Sequence, residues 1–129
     1  MKYNGKMISL LYVDDEPANL FLFEASFQSS FKVHTASSGS EGLAILDDHM
    51  NDIMVVITDM RMPKMNGIEF VREAKSKHKD AAYFILTGFD FNADIEEAIE
   101  EGLIIKYFTK PFDQNLIRSY IEEFVSALS

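Results

Sequence analysis

The chain has 129 residues, a net charge of −9, 47% hydrophobic residues and no cysteine. This length and composition predict a single globular domain over residues 1–129 rather than a disordered segment. The lack of cysteine excludes disulfides and thiolate metal sites. The acidic balance argues against direct nucleic-acid binding, which relies on Lys and Arg to neutralise phosphates. No apolar run is long enough to span a bilayer or resembles a signal peptide, so we expect a cytoplasmic protein without membrane association.

Five short apolar runs predict five β-strands. Their length and nearly continuous apolar character are typical of parallel strands that are covered on both faces. The runs lie at residues 7–13, 33–36, 53–58, 83–86 and 104–108.

The segments between these runs show helical spacing and helix boundary signals. A proline opens the first helix, a Gly follows the fourth, and an acidic N-cap with a hydrophobic staple begins the fifth. The residues concerned are Pro17 followed by Leu20, Phe23 and Phe27; Leu43 and Leu46; Asn66-Gly67 followed by Ile68 and Val71; Gly102 after residues 93–101; and Asp113 with Phe112 and Ile117.

The strict alternation of strand and helix predicts an α/β fold with right-handed crossovers. Five such units favour a doubly wound, five-stranded parallel sheet of the flavodoxin-like (βα)5 type, with strand order 2-1-3-4-5. In these sheets a ligand binds beyond the carboxyl ends of the strands, where the strand order reverses.

Reactive polar residues follow four of the predicted strands: Asp14 and Asp15, Asp59, Thr87 and Lys110. A single Asp after a strand is more often a turn residue or a helix cap. Five such residues converging on one edge of the sheet are better explained by a functional site.

The chemistry of these residues indicates phosphoryl transfer. Three carboxylates in one pocket repel each other unless a cation is present, and an oxygen-lined site suits Mg²⁺. Lys110 adds a positive charge, and the Thr87 hydroxyl can donate to a phosphoryl oxygen. An ionised Asp59 needs no general base to act as a nucleophile, and its product would be an acyl phosphate.

Four motifs together resemble a known family. They are V-D-D-E-P at 13–17, T-D-M-R-M-P-K-M-N-G at 58–67, L-T-G at 86–88 and Y-F-T-K-P-F at 107–112. In order and spacing they resemble the receiver domains of bacterial two-component response regulators, including chemotaxis regulators. The resemblance covers nearly the whole chain and implies a phosphorylation-activated signalling switch.

The resemblance also implies roles for individual residues at the pocket. Asp59 would be the phosphoacceptor, Asp15 a direct Mg²⁺ ligand, and Asp14 a ligand through water. The backbone carbonyl of Arg61 would be a further ligand. Lys110 would pair with the phosphate, next to a cis Lys110-Pro111 bond.

Further implied roles lie around the pocket. Thr87 and Tyr107 resemble the switch pair of the family, while Arg61 and Phe89 occupy the positions whose side chains gate the attacking water. L-I-I-K between Gly102 and Tyr107 is one residue longer than the usual family spacing, which predicts a bulged loop before the fifth strand.

The resemblance implies a sensor histidine kinase or phosphotransfer protein as partner and no turnover of an external substrate. Phosphorylation is expected to change the face formed by the fourth helix, fifth strand and fifth helix, a possible homodimer surface. Glu100 and Glu101 oppose the dipole of the fourth helix, so we expect that helix to move easily.

Two alternative functions are a non-phosphorylated docking module and a Mg²⁺-dependent phosphohydrolase. Such hydrolases usually carry a second Asp where this chain has Arg61, which disfavours the phosphohydrolase. We interpret His34, His49 and His78 as structural or surface residues.

Overall fold

The computed structural model describes residues 1–49, 51–88 and 92–128. The short elements near the amino terminus are strands β1 and β2, and the remaining strands alternate with five helices. The bounds are β1 (Lys2–Tyr3), β2 (Lys6–Met7), β3 (Ser9–Val13), α1 (Pro17–Phe27), β4 (Lys32–Ala36), α2 (Gly39–Asp48), β5 (Ile53–Thr58), α3 (Gly67–Lys77), β6 (Ala82–Thr87), α4 (Ala93–Glu100), β7 (Lys106–Thr109) and α5 (Gln114–Ala127).

The five strands from β3 onward form one parallel sheet in the order β4-β3-β5-β6-β7. Counted among themselves, these strands have the order 2-1-3-4-5, so the predicted flavodoxin-like topology is confirmed. The order reverses at β3, whose neighbours are β4 on one side and β5 on the other. A crevice at the carboxyl ends of β3 and β5 is the expected ligand position in such a sheet.

The sheet is covered by helices on both faces. One core layer packs α2, α3 and α4 against residues such as Val13, Val56 and Ile85. The other packs α1 and α5 against Tyr12, Ile57 and their neighbours. Because alternate residues of a strand point to opposite faces, Tyr12 and Val13 belong to different layers.

A two-stranded hairpin precedes the sheet, where the sequence predicted only a first strand at residues 7–13. Met7 belongs to β2, and the sheet strand begins at Ser9. The turn residues Asn4 and Gly5 have φ values of 53° and 80°, the left-handed conformation that two-residue hairpin turns require. Asn-Gly is the strongest short hairpin signal in a sequence, so the hairpin was predictable from the residues.

The predicted boundary residues of four helices are confirmed. Pro17 occupies the first turn of α1. Asn66 and Glu69 form a reciprocal capping box at the start of α3, and the Asp113 carboxylate accepts two backbone N–H bonds at the start of α5. Gly102 follows α4 with φ 77°, a conformation that glycine adopts without strain. No helix in the described parts of the chain combines the length and apolarity needed to cross a membrane.

Candidate functional site

The carboxyl ends of the central strands bring the predicted polar residues to one edge. Asp14 directly follows β3, Asp59 follows β5, Thr87 ends β6, and Lys110 follows β7. Backbone hydrogen bonds extend the strand pairing into this edge. The Asp59 N–H donates to the Val13 carbonyl at 2.8 Å, and the Lys110 N–H donates to the Thr87 carbonyl at 2.8 Å.

Three carboxylates form a compact cluster. Ligand oxygens of Asp14, Asp15 and Asp59 all lie within 4.8 Å of one another. Asp14 is fully buried and Asp59 nearly so, while Asp15 is exposed. Hard oxygen donors at this spacing fit Mg²⁺, which is commonly bound by one or two carboxylates and retains water molecules on its open side.

Lys110 is the cation that the fold itself provides. Its Nζ donates to Asp14 Oδ2 at 2.8 Å and lies 3.3 Å from Asp59 Oδ2. Burial alone would lower the pKa of Lys110, but the hydrogen bond to Asp14 and the charges of both carboxylates raise it above its usual value. The ammonium is therefore permanently charged at neutral pH. The Lys110-Pro111 bond is cis, as the family resemblance implied.

Asp59 is held in place by its own loop. Its Oδ1 accepts the Met60 N–H at 2.7 Å. Burial raises the pKa of Asp59, and the Asp14 charge adds to this, while Lys110 and the Met60 N–H act in the opposite direction. Since the net shift is upward, Lys110 does not fully compensate the buried negative charge. A further cation at the cluster would favour the ionised, nucleophilic form.

Asp14 has a hydrogen-bond partner that the sequence interpretation missed. The Tyr12 hydroxyl donates to Asp14 Oδ2 at 2.6 Å, and the Glu16 N–H donates to Oδ1 at 3.0 Å. Burial first, and then the hydrogen bond to Asp14, raise the pKa of the Tyr12 phenol, so it remains a donor. Residues i and i+2 of a strand share a face, and this spacing was the available sequence signal.

Gly67 is a second missed residue. Its N–H donates to the Met60 carbonyl at 2.8 Å, which closes the loop after Asp59 onto the start of α3. A Cβ atom at this position would lie 2.3 Å from the Asp59 carbonyl oxygen and 3.0 Å from Met60 Cα. Only glycine therefore permits this approach of α3 to the loop that follows Asp59.

The structure describes three further residues of the predicted site. Thr87 is buried, Tyr107 is half-buried on β7, and Arg61 is exposed in the loop after Asp59. The β6–β7 register is continuous from Lys106 to Thr109, so the extra residue of the L-I-I-K segment is accommodated before the strand. Phe89, the second predicted gating residue, lies outside the described residues.

The comparison with protein families agrees with this geometry. Residues 10–122 match the model of the response regulator receiver domain. The chain belongs to this family. It is therefore a receiver domain of the kind found in bacterial two-component systems.

Individual relatives support the assignment. The chain is 33% identical over 119 residues to the transcriptional regulatory protein GlrR of Escherichia coli, covering 92% of this chain and 26% of GlrR. It is 34% identical over 107 residues to the response regulator SaeR of Staphylococcus aureus, covering 82% of this chain and 45% of SaeR. The receiver domain thus corresponds to between about a quarter and a half of these regulators.

Solved structures show the same fold. A response regulator receiver domain protein from Clostridium thermocellum superimposes with a TM-score of 0.83 at 33% identity, covering 94% of this chain and 96% of that one.

Two of the three histidines, separated by fifteen positions in sequence, meet in the structure. The rings of His34 on β4 and His49 after α2 lie 4.6 Å apart. His34 Nε2 is inaccessible to solvent and has no hydrogen-bond partner within the described part of the chain. Burial, then the neighbouring His49 and Lys32, lower the pKa of His34. His78, in contrast, contacts Asp47 at 3.0 Å.

Proposed function

We propose that this receiver domain is a phosphorylation-activated switch in which Asp59 accepts a phosphoryl group from a sensor histidine kinase or a phosphotransfer protein. The observation that carries the proposal is the three-carboxylate cluster with the Lys110 ammonium bonded to two of its members. An unshielded cluster of buried negative charge is costly to maintain, and it is useful where a cation and a phosphoryl group bind.

In the proposed transfer step, a carboxylate oxygen of Asp59 attacks the phosphorus atom of a phosphohistidine. An O–P bond forms while the N–P bond breaks, and the imidazole leaves with the electron pair of that bond. Lys110 stabilises negative charge on the phosphoryl oxygens, and the Thr87 hydroxyl donates to one of them after a small rotation. The product is an aspartyl phosphate, and no external substrate is turned over.

The residues that would hold Mg²⁺ are Asp15, Asp59 and the backbone carbonyl of Arg61 directly, with Asp14 acting through a water molecule. When bound, the ion supplies positive charge that neutralises the phosphoryl oxygens as the P–O bond forms. The exposed Asp15 carboxylate lies on the open side of the cluster, where an ion can enter with part of its water shell.

The chemistry can be tested with a small phosphodonor. Incubation with acetyl phosphate and Mg²⁺ should add one phosphoryl group, detected by intact mass, and Asp59→Asn should abolish it. Equal labelling of this variant would refute the assignment of Asp59. A wild-type chain that is never labelled would instead support a docking module without phosphorylation, and continuous release of phosphate from simple esters would support a phosphohydrolase.

The surface of α1 offers a docking face for the protein that donates the phosphoryl group. Phe21 and Leu22 are 75% and 55% exposed, and with the exposed Ala18 and Ala25 they form an apolar stripe at helical spacing. Leu22 also lines a groove of about 550 Å³ that reaches Lys110. A helix of the donor packed on this stripe would place its phosphohistidine near the acidic cluster.

This docking face can be separated from the chemistry. Phe21→Ser with Leu22→Ser should slow transfer from a phosphorylated donor protein while labelling by acetyl phosphate continues at the wild-type rate. Ile105→Ser, which alters an apolar residue that is 47% exposed elsewhere on the surface, is the control. Unchanged protein-to-protein transfer in the double variant would exclude this face.

The output of the switch is proposed to pass through Thr87 and Tyr107 to the face formed by α4, β7 and α5. Register pairs Thr87 with Thr109 and Ile85 with Tyr107, so the switch residues lie on adjacent strands. Addition of beryllofluoride, a phosphoryl mimic, should change hydrogen exchange across residues 92–110. A change confined to the loops at Asp15 and Asp59 would show that phosphate binds without altering this face.

A further inference from the structure

The Tyr12 side chain contacts the acidic cluster, yet none of the roles above includes it. Its side chain is 1% exposed, and its hydroxyl donates to Asp14 Oδ2 at 2.6 Å. The same oxygen accepts the Lys110 ammonium at 2.8 Å, while Oδ1 accepts the Glu16 N–H at 3.0 Å. A buried carboxylate is thus held by three donors from three different residues.

We infer that Tyr12 is a positioning residue of the acidic site, whose hydroxyl fixes the rotation of the Asp14 carboxylate and thereby sets the affinity of the site for Mg²⁺. The inference rests on the proposed function, because it concerns the same cation site. It adds a residue that the pattern of three Asp and one Lys does not contain.

The hydrogen-bond capacity of Asp14 decides which of its two carboxylate oxygens can face a cation. A carboxylate oxygen accepts about two hydrogen bonds along its lone pairs. Tyr12 and Lys110 therefore saturate Oδ2, whereas Oδ1 retains acceptor capacity beyond the Glu16 N–H. Oδ1 is the oxygen left to bind the water shell of a cation. Without the Tyr12 hydroxyl, Lys110 alone holds Oδ2, and the carboxylate can turn with the lysine when it moves toward a phosphate.

The ring of Tyr12 is itself held in place by packing, so the position of its hydroxyl is fixed. Tyr12 stacks on Phe23 with ring centroids 4.2 Å apart and an angle of 15° between the planes. Phe23 in turn contacts Phe27 and Phe112, the residue that follows the cis Lys110-Pro111 bond. Phe at position 12 would keep this stacking and remove only the hydroxyl.

The matched control is Tyr83, another fully buried tyrosine of the same sheet. Its hydroxyl donates to the His78 carbonyl at 2.8 Å, at the opposite end of the strands from the acidic cluster. Tyr83→Phe therefore removes a buried hydroxyl and its hydrogen bond without touching Asp14. A purely structural role of the tyrosine hydroxyl would be the same in both variants.

The test measures Mg²⁺ affinity from the rise in melting temperature with Mg²⁺ concentration, beside the melting temperature in EDTA. Tyr12→Phe should raise the half-saturating Mg²⁺ concentration about tenfold or more, the usual effect of removing an outer partner of a metal ligand. Tyr83→Phe should leave it unchanged while lowering the melting temperature in EDTA. An amine donor at the same place, para-aminophenylalanine at position 12, should restore affinity.

A double-variant comparison decides whether Tyr12 acts through Asp14. In an Asp14→Asn background, Tyr12→Phe should no longer change Mg²⁺ affinity; an undiminished effect there overturns the inference. If the wild type binds Mg²⁺ and is labelled by acetyl phosphate, and Tyr12→Phe binds Mg²⁺ with the same affinity, this inference alone is overturned. A wild type that neither binds Mg²⁺ nor becomes labelled overturns the proposed function and the inference together.

Discussion

A substitution of Gly67 tests how closely the start of α3 must approach the backbone of Asp59. In Gly67→Ala the new methyl group would lie 2.3 Å from the Asp59 carbonyl oxygen, where ordinary contact begins near 3.4 Å. Both atoms belong to the backbone or are fixed to it, so a side-chain rotation cannot relieve the clash. The start of α3 and the loop after Asp59 must separate by about 1 Å.

This displacement allows an estimate of the effects. Overpacking of a tightly packed interior costs about 1–3 kcal/mol of folding free energy. For a domain of this size, each kcal/mol lowers the melting temperature by about 4 °C. A misplacement of about 1 Å at a reacting group can reduce the rate about 10²-fold. We therefore expect a folded, less stable protein with severely impaired labelling.

The assay combines thermal melting with the rate of acetyl phosphate labelling followed by intact mass. Gly88→Ala is the matched control, because it alters a glycine at the same edge of the sheet, where the nearest described atom to an added Cβ is Lys110 Cδ at 3.9 Å. The control should behave like the wild type. If Gly67→Ala melts and reacts like Gly88→Ala, the close approach seen at Asp59 has no functional importance.

Three further predictions concern charge and lifetime. Asp59→Asn should raise the melting temperature in EDTA, because burial raises the pKa of this carboxyl and makes its ionised form unfavourable. The same variant should be stabilised less by Mg²⁺. For the wild type this stabilisation is about 1.4 kcal/mol at a Mg²⁺ concentration of ten times the dissociation constant. Arg61→Ala should shorten the phosphoryl lifetime, measured as mass loss after removal of the donor, if its side chain restricts water. The lowered pKa of His34 means that the folded chain binds fewer protons than the unfolded chain below about pH 6.5. The free energy of unfolding should therefore fall as pH drops through that value, and His34→Gln should reduce this slope in denaturant titrations; an identical slope would exclude His34 as its source.

Much of the fold follows from the hydrophobic periodicity of the sequence and from residues that mark the ends of helices and strands. Apolar runs and amphipathic segments alternate, and this predicts the parallel sheet. The order 2-1-3-4-5 is a standard solution for five such units. Boundary residues such as Pro17, Asn66 and Asp113 act through local hydrogen bonds or fixed dihedrals, so their effects do not depend on the rest of the chain. The clustering of Asp14, Asp15 and Asp59 is a consequence of topology, because parallel strands end at the same edge.

Other features depend on contacts that local rules do not contain. The Tyr12 hydroxyl reaches Asp14 because the strand alternation puts both on one side, yet an apolar run with one tyrosine is equally well explained by packing. The proximity of His34 and His49 arises from the docking of α2 beside the edge strand β4. Gly67 gave a helix-start signal, but the reason for glycine is a carbonyl eight positions earlier in the chain.

The fourth helix shows a local electrostatic rule being offset by a tertiary contact. Glu101 at its end opposes the helix dipole, but Arg72 of α3 donates to its carboxylate at 2.9 Å and 3.3 Å, and this pair lowers the pKa of Glu101. Lys75 of α3 also donates to the Gly102 carbonyl. Exposed ion pairs add little stability, so these contacts matter more for where α4 sits than for whether it forms. Because α3 begins at Gly67, packed against the carbonyl of Asp59, α4 is connected to Asp59 through α3 as well as through the sheet. A shift of α4 relative to α3 therefore changes the geometry of the contact between Arg72 and Glu101, whereas a joint movement of the two helices preserves it.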